Sequence, residues 1–259
     1  LAAALSGPVP PPAILKPAHA VRLEGGGLAR GTARFVMEPA EIARLPGALD
    51  WPIIVQGLVA GTGRGVFGFA GAEGVRAWSG HRRLRMMNPH GSGASACVAA
   101  PPDAELRAAA ARFVGALGWR GPFMVELLEP RDGGPPVFME LNGRLWGSTA
   151  LARRAGLDYP AWAVAAALDP GFVPPDPAPV TGIAVRHLGR ELLHLAFVLA
   201  GPRTPFHREG WPRLLPTLGA VLRPGPGRSF YNWDPAHPRY FLREAAAMLA
   251  DRLAGRRGG

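Results

Sequence analysis

Over the first 145 positions apolar residues fall in short alternating or continuous runs bounded by glycine and proline, the pattern of strands rather than of long helices. Residues 13–16, 33–37 and 52–56 read as three strands, the last rich in Ile and Val. Glu24-Gly25-Gly26-Gly27 lies between the first two as a turn or flexible loop, and Pro39 to Leu45 reads as a helix start. Val66–Ala70 and Val75–Leu84 are expected as antiparallel neighbours, with Gly61–Gly65 before them as a glycine-rich turn and Asn88–Ser95 after them as a polar loop. Asp103 to Leu117 predicts a helix with Asp103 as N-cap and Gly118 past its end. Two more strands, 122–128 and 136–142, flank the loop-forming run from Pro130 to Pro135. Ser148–Arg154, stopped at Gly156, and Pro160–Leu168 read as short helices. Beyond a proline-rich linker, Pro170–Pro179, helices are expected at 186–200 and 238–255, with an irregular stretch at 201–237. This order predicts an α+β fold without internal repeats, its strands antiparallel and its helices covering one face.

The hairpin at 122–142 carries the most informative chemistry. With its turn centred on Gly133, paired positions sum to 266, which sets Glu126 directly opposite Glu140 on one face. Their β-carbons would then be about 5 Å apart. Asn142, two residues further on, projects from the same face, and Arg144 follows at the strand end. Facing carboxylates repel, and a divalent cation relieves this: magnesium takes one or two carboxylates plus substrate phosphate oxygens. Glu126, Glu140 and Asn142 are the candidate ligands, and Arg144 a candidate stabiliser of a transferring phosphoryl group. The alternative is a solvent-facing sheet surface in which the glutamates pair with arginines. One residue of slip in the register would remove the constellation.

Composition narrows the field. The 259 residues are 48% apolar, enough for one large domain or two small ones. The single cysteine, Cys97, excludes an internal disulfide, and no Cys/His spacing suits zinc, which points to a reducing, cytoplasmic compartment. No apolar run reaches the roughly 18 residues of a membrane span, and Leu1–Pro12 lacks a signal peptide's basic region and an initiator Met, as if the sequence starts partway into a longer protein. The net charge is +10, but 28 of the 29 basic residues are Arg scattered along the chain, which argues against nucleic acid as a partner. Against this Arg-rich background the lone lysine, Lys16, and the lone glutamine, Gln56, stand out. A lysine is a compact point charge that enters narrow phosphate sites.

Several of these segments resemble the ATP-grasp superfamily, which includes biotin carboxylase and the large chain of carbamoyl phosphate synthetase. Glu140-Leu141-Asn142-Gly143-Arg144 is similar to the family's E-[IL]-N-P-R segment, with Gly143 in place of the usual Pro. Gly118 to Glu126 matches its G-x-x-G-x-x-x-V-E strand. Ile14-Leu15-Lys16-Pro17 resembles the strand whose lysine contacts ATP phosphates. Ile53 to Gly61 resembles the hinge strand that holds adenine, and Ser79-Gly80-His81-Arg82-Arg83 the basic strand facing the phosphates. His-Arg-Arg-Leu-Arg and Trp-Gly-Ser segments are similar to those of an ATP-dependent carboligase branch. The resemblance implies two α+β lobes gripping ATP, a small one at about 1–57 and a large one at about 58–168. Residues 169–259 would then be a mainly helical extension, and the domain that precedes this region in most relatives has no counterpart. It further implies that Lys16, Gln56, Gly57, Leu58, His81 and Arg83 bind the nucleotide. Glu126, Glu140 and Asn142 would bind magnesium, or manganese in its place, with Arg144 and Lys16 acting in catalysis. The implied activity is ADP-forming ligation of a small-molecule carboxylate to an amine. A phosphotransferase or a non-catalytic nucleotide-binding module on the same fold are the alternatives, and a homo-oligomer is left open. Gly25-Gly26-Gly27 would be either the family's phosphate lid or a plain hairpin turn.

Overall fold

A computed structural model describes residues 9–19, 21–31, 33–44, 52–178, 180–223 and 228–254. The chain divides into two compact units, one from residues 1–60 with 202–211, the other from residues 61–201 with 212–257.

In the first unit, strands β1 (Ala13–Pro17), β4 (Arg34–Val36) and β5 (Ile53–Gly57) form an antiparallel sheet in the order β4-β1-β5. Alternation sorts its faces. Ala13 and Leu15 are buried with Val36, against Val9, Ile53 and Val55. Ile14 pairs with Gln56 and Lys16 with Ile54, so Lys16 and Gln56 share the opposite, partly exposed face. Strands β2 (Val21–Glu24) and β3 (Gly27–Arg30) make a separate hairpin, turned by Gly25 and Gly26 at φ +57° and +81°. Here the glycine run is a hairpin turn. The segment Pro39–Arg44 is a 3₁₀ helix rather than an α-helix, and the Glu41 carboxylate accepts from the Met37 amide at its start. A single helical turn, Pro205–Arg208, returns to this unit, where His207 meets the Phe35 ring edge-on at 4.9 Å.

The second unit is built on a seven-stranded sheet. Its strands are β6 (Gly61–Gly71), β7 (Gly74–Met86), β8 (Ala94–Ala99), β9 (Gly121–Pro130), β10 (Val137–Asn142), β11 (Ala184–Arg186) and β12 (Arg228–Phe230), in the order β10-β9-β6-β7-β8-β11-β12. Every neighbouring pair is antiparallel except β11 and β12. Helix α1 (Ala104–Ala116) buries Ala110 and Val114 against Val66, Ala70, Phe123, Val125 and Leu127 on one face. The Asp103 side chain caps it by accepting from the Leu106 amide at 2.9 Å. Helices α2 (Thr149–Arg154) and α3 (Tyr159–Leu168) cover the other face, where Trp146, Ala152, Leu157 and Tyr159 pack on Phe67, Phe69, Ala77 and Met124. Helices therefore lie on both faces, not on one.

Two further expectations need correction. Residues 61–65 are the start of β6, not a turn. The C-terminal part is also no mere extension: it supplies β11, β12 and helices α4 (Leu188–Ala200), α5 (Leu214–Leu222) and α6 (Pro238–Leu253) to this same unit. Glu191 of α4, fully buried, takes three hydrogen bonds from Arg85 of β7 and ties the late helices to the central sheet. No helix among the described residues is long and apolar enough to cross a membrane.

Candidate functional site

Directly opposed residues on neighbouring antiparallel strands point to the same face, so the register alone builds the site. Glu140 pairs with Glu126, Glu126 with Gly65, Gly65 with His81, and His81 with Ala99. One row across five strands therefore carries two carboxylates and an imidazole, with a glycine between them. Asn142, Met124, Phe67, Arg83 and Cys97 join this face by alternation. The Glu126–Glu140 pairing is the one expected from the hairpin. It follows a bulge between Phe138 and Glu140, because nearer the turn Val137 pairs with Leu128 and Phe138 with Leu127.

The two carboxylates are held differently. Arg83 Nη2 donates to Glu126 Oε1 at 2.5 Å, with both side chains largely buried. To reach β9 from β7, Arg83 must cross β6, and it crosses over Gly63. A Cβ at position 63 would stand 2.5 Å from Arg83 Cδ and 2.9 Å from its Nε. Asn142 Nδ2 donates to Glu140 Oε1 at 2.9 Å, so Asn142 meets that glutamate through its amide nitrogen and orients it. The second oxygen of each glutamate has no protein donor among the described residues. Two facing carboxylates, each with a free oxygen, fit a magnesium ion that completes its shell with water and phosphate oxygens. No group of three or more His, Cys, Asp or Glu suited to a metal exists among the described residues. Gly143, where the resembling motif has Pro, lies under the Trp119 ring, which would be 2.7 Å from any Cβ there.

His81 is 3% exposed, and its Nδ1 lies 2.7 Å from Ser148 Oγ. Burial first, and the nearby Arg83 guanidinium second, push its pKa down to about 3, so the imidazole is neutral. Its Nε2 is buried without a hydrogen-bond partner. The same alternation turns Arg82 to the far face, where it pairs with Glu129. Of the basic run, His81 and Arg83 face the site.

These residues line a cleft of about 180 Å³, together with Ser95, Cys97, Met124, Arg144, Trp146, Ser148, Arg190 and Tyr231. Ser95 Oγ and Trp146 Nε1 are, like His81 Nε2, buried with no partner. Unpaired polar atoms are costly in a protein interior. With Arg83 Nε and the Tyr231 hydroxyl, five such atoms around one opening mark a place where a polar ligand supplies the missing hydrogen bonds. Arg144 is exposed at the rim and donates to the Leu145 carbonyl. Burial pushes the Cys97 thiol up to about 12, so it is no nucleophile.

The structure thus gathers His81, Arg83, Glu126, Glu140, Asn142 and Arg144 around one cleft, all within the second unit. Lys16 and Gln56 lie together on one face of the first unit's sheet, with Gly57 ending β5 and the Leu58 amide donating to the Pro12 carbonyl. Sequence reasoning missed Ser95, Arg190 and Tyr231. Ser95 could have been found from its spacing of two from Cys97, had Ala94–Ala99 been read as a strand. Arg190 and Tyr231 carried no local signal.

No protein-family model and no curated protein matches the chain. Solved structures do. One is N5-carboxyaminoimidazole synthase from Aspergillus clavatus in complex with ADP and 5-aminoimidazole ribonucleotide. It superposes with a TM-score of 0.53 at 17% identity, over 71% of this chain and 46% of that one. Another is the biotin carboxylase domain of the Hydrogenobacter thermophilus 2-oxoglutarate carboxylase with MgADP, ADP and bicarbonate, at a TM-score of 0.50 and 12% identity, over 70% and 41%. The chain spans less than half the length of either protein.

Proposed function

We propose, from the premise that this chain has the ATP-grasp fold, that it is the nucleotide- and magnesium-binding part of a ligase joining a carboxylate to an amine with release of ADP. The fold itself is shown by the solved structures. The observation that carries the functional reading is the Glu126–Glu140 pair, opposed on one face of a cleft with an oxygen free on each.

In this reading the acid would take the γ-phosphoryl group of ATP to give an acylphosphate and ADP, the amine would then displace phosphate, and bound magnesium would supply positive charge to offset that of the phosphates. The chain does the holding. Glu126 and Glu140 take the metal, and Asn142 fixes the second of them. Arg83 keeps Glu126 in place and adds positive charge beside the phosphates. His81, neutral and held by Ser148, presents Nε2 to an oxygen or proton that the ligand brings. Arg144, exposed at the rim, offers a positive charge to the transferring group. Lys16 is proposed for the phosphates, and Gln56 with the backbone at Gly57 and Leu58 for adenine. This rests on the resemblance of their segments, and on Lys16 and Gln56 sharing one sheet face. Burial of the carbonyl and the incoming amine away from water would favour aminolysis over hydrolysis.

Calorimetric titration of ATP in the presence and absence of magnesium, on the natural chain and on Glu140→Ala, tests the metal assignment. We expect magnesium-dependent binding that the substitution weakens by about tenfold or more, the range that even outer partners of a metal command. Equal affinity in both proteins ends the assignment. A second reading, a nucleotide-binding module without turnover, is favoured by the Arg83–Glu126 ion pair, which occupies one carboxylate oxygen. Release of ADP and phosphate together with a new amide would exclude it, and a stable phosphorylated product would indicate a phosphotransferase instead.

A further inference from the structure

The Glu126–Glu140 end is only half of the cleft. Its other side is made by residues from three separate parts of the chain: Ser95 on β8, Arg190 in the first turn of α4, and Tyr231 immediately after β12. Ser95 is fully buried, and its hydroxyl has no partner. Arg190 Nη1 donates to the Ala94 carbonyl at 3.1 Å, and its guanidinium lies 5.9 Å from the centre of the Tyr231 ring. Arg190 forms no ion pair among the described residues, whereas Arg83 and Arg85 beside it each hold a glutamate. Its nearest approaches to Gly93 and Gly147 leave room around the guanidinium, since even an added Cβ would stay 3.8 and 3.6 Å away.

Charge makes the arrangement one-sided. A cation in the first turn of a helix meets the positive end of the helix dipole, the unfavourable sign. The protein nevertheless sets at one opening a guanidinium without an ion-pair partner and a partnerless hydroxyl. An anion with oxygens to accept hydrogen bonds answers both at once. Burial pushes the Tyr231 phenol up to about 12, so it remains a donor at neutral pH. Size sets the class. A cavity of about 150 Å³ holds a benzene-sized molecule, so a cleft of about 180 Å³, shared with the metal end, takes a carboxylate and a few carbons.

We propose that Arg190, Ser95 and Tyr231 form the recognition pocket for the carboxylate of a small acid, the reactant to be activated. The identification of that acid as the one activated rests on the ligase reading; the pocket's affinity for a carboxylate does not. Arg190 receives the carboxylate through two N–H groups, Ser95 donates a third hydrogen bond, and Tyr231 braces the guanidinium. One carboxylate oxygen then lies toward Glu126 and Glu140.

The test uses ligand-observed NMR on the whole chain without nucleotide or magnesium. The probes are acetate, L-alanine and benzoate, each set against its amide. At least one acid is expected to bind, and about tenfold more tightly than its amide, the worth of one charge-assisted hydrogen bond. Arg190→Met should abolish the preference, Arg190→Lys should keep part of it, and Ser95→Ala should weaken binding several-fold. Arg82→Ala, on the far face of the sheet, should leave it unchanged. Melting temperatures identify variants that do not fold. If Arg190→Met is among them, Arg190→Lys and Ser95→Ala decide, and unchanged binding in both overturns the proposal. It is also overturned if no acid binds, if acid and amide bind alike, or if folded Arg190→Met binds as the natural chain does. Failure of the ligase reading looks different: acids bind, but ATP with magnesium does not.

Discussion

Replacing Gly63 with alanine is the sharpest test of how the site is built, because one methyl group would break an ion pair two strands away from its partner's backbone. The new Cβ would lie 2.5 Å from Arg83 Cδ, 2.9 Å from Nε and 3.1 Å from Cζ. Ordinary carbon contacts need about 3.5–4.0 Å, so the middle of the Arg83 side chain must move by about 1 Å. Its hydrogen bond to Glu126 is 2.5 Å long and tolerates little of that before it is lost. Overpacking costs about 1–3 kcal/mol, and a buried carboxylate stripped of its partner costs about 3–5 kcal/mol. Relaxation of the long side chain and water entering from the cleft reduce the sum, and we expect about 2–4 kcal/mol. In an Arg83→Ala background the clash disappears. There the same substitution only removes glycine's backbone freedom, and it should be neutral or stabilising by about 0.5 kcal/mol. Urea unfolding of the four proteins closes the cycle. An equal cost of Gly63→Ala with and without Arg83 would refute the crossing of β6 described above.

Two further outcomes follow from buried charge. In the unfolded chain His81 takes up a proton near its ordinary value of 6.5, whereas in the fold it does so only near 3. Between those limits falling pH favours the unfolded state: the stabilisation is complete above pH 6.5 and is lost toward pH 3, at up to about 1.4 kcal/mol per unit. His81→Gln should flatten the acid side of a stability–pH profile by about that slope, and an unchanged slope would show that His81 is not buried as described. Glu191→Ala strands Arg85 in the interior and should cost about 3–5 kcal/mol, whereas Arg82→Ala, which removes a half-exposed partner of Glu129, should cost about 1 kcal/mol or less. Comparable losses in urea titrations of the two variants would contradict the burial of Glu191.

The facing glutamates were legible because both strands alternate cleanly and the loop between them has an obvious centre. Their register nonetheless agrees with the expectation only through the bulge before Glu140, which no pattern of apolar residues foretells. The misread stretch at 61–65 held a usable signal: Gly61, Gly63 and Gly65 recur with a period of two, which is a strand with one bare face. Strand β8 escaped notice because Ala94-Ser95-Ala96-Cys97-Val98-Ala99 consists mostly of small residues, with Val98 its one strong strand former. The three-residue strands β11 and β12 exist by virtue of the neighbours they extend, and short windows of sequence contain no trace of those neighbours. Helix α1, by contrast, was readable from its cap and its stop. On the site itself, sequence supplied the residues carried by motifs, and left out those, such as Arg190 and Tyr231, that only the sheet order brings near.

That sheet order also has a temporal side. A ribosome delivers the acidic hairpin by residue 142, yet β11, α4 and β12 arrive later and fill in beyond β8, at the margin where Arg190 and Tyr231 stand. A nascent chain halted at residue 168 would possess both glutamates, His81 and Arg83 while lacking one wall of the cleft. The second wall of the cleft therefore forms only after the hairpin has been made, and trimming at the proline-rich segment 170–179 would leave the two glutamates beside a half-walled cleft with an unprotected strand edge at β8.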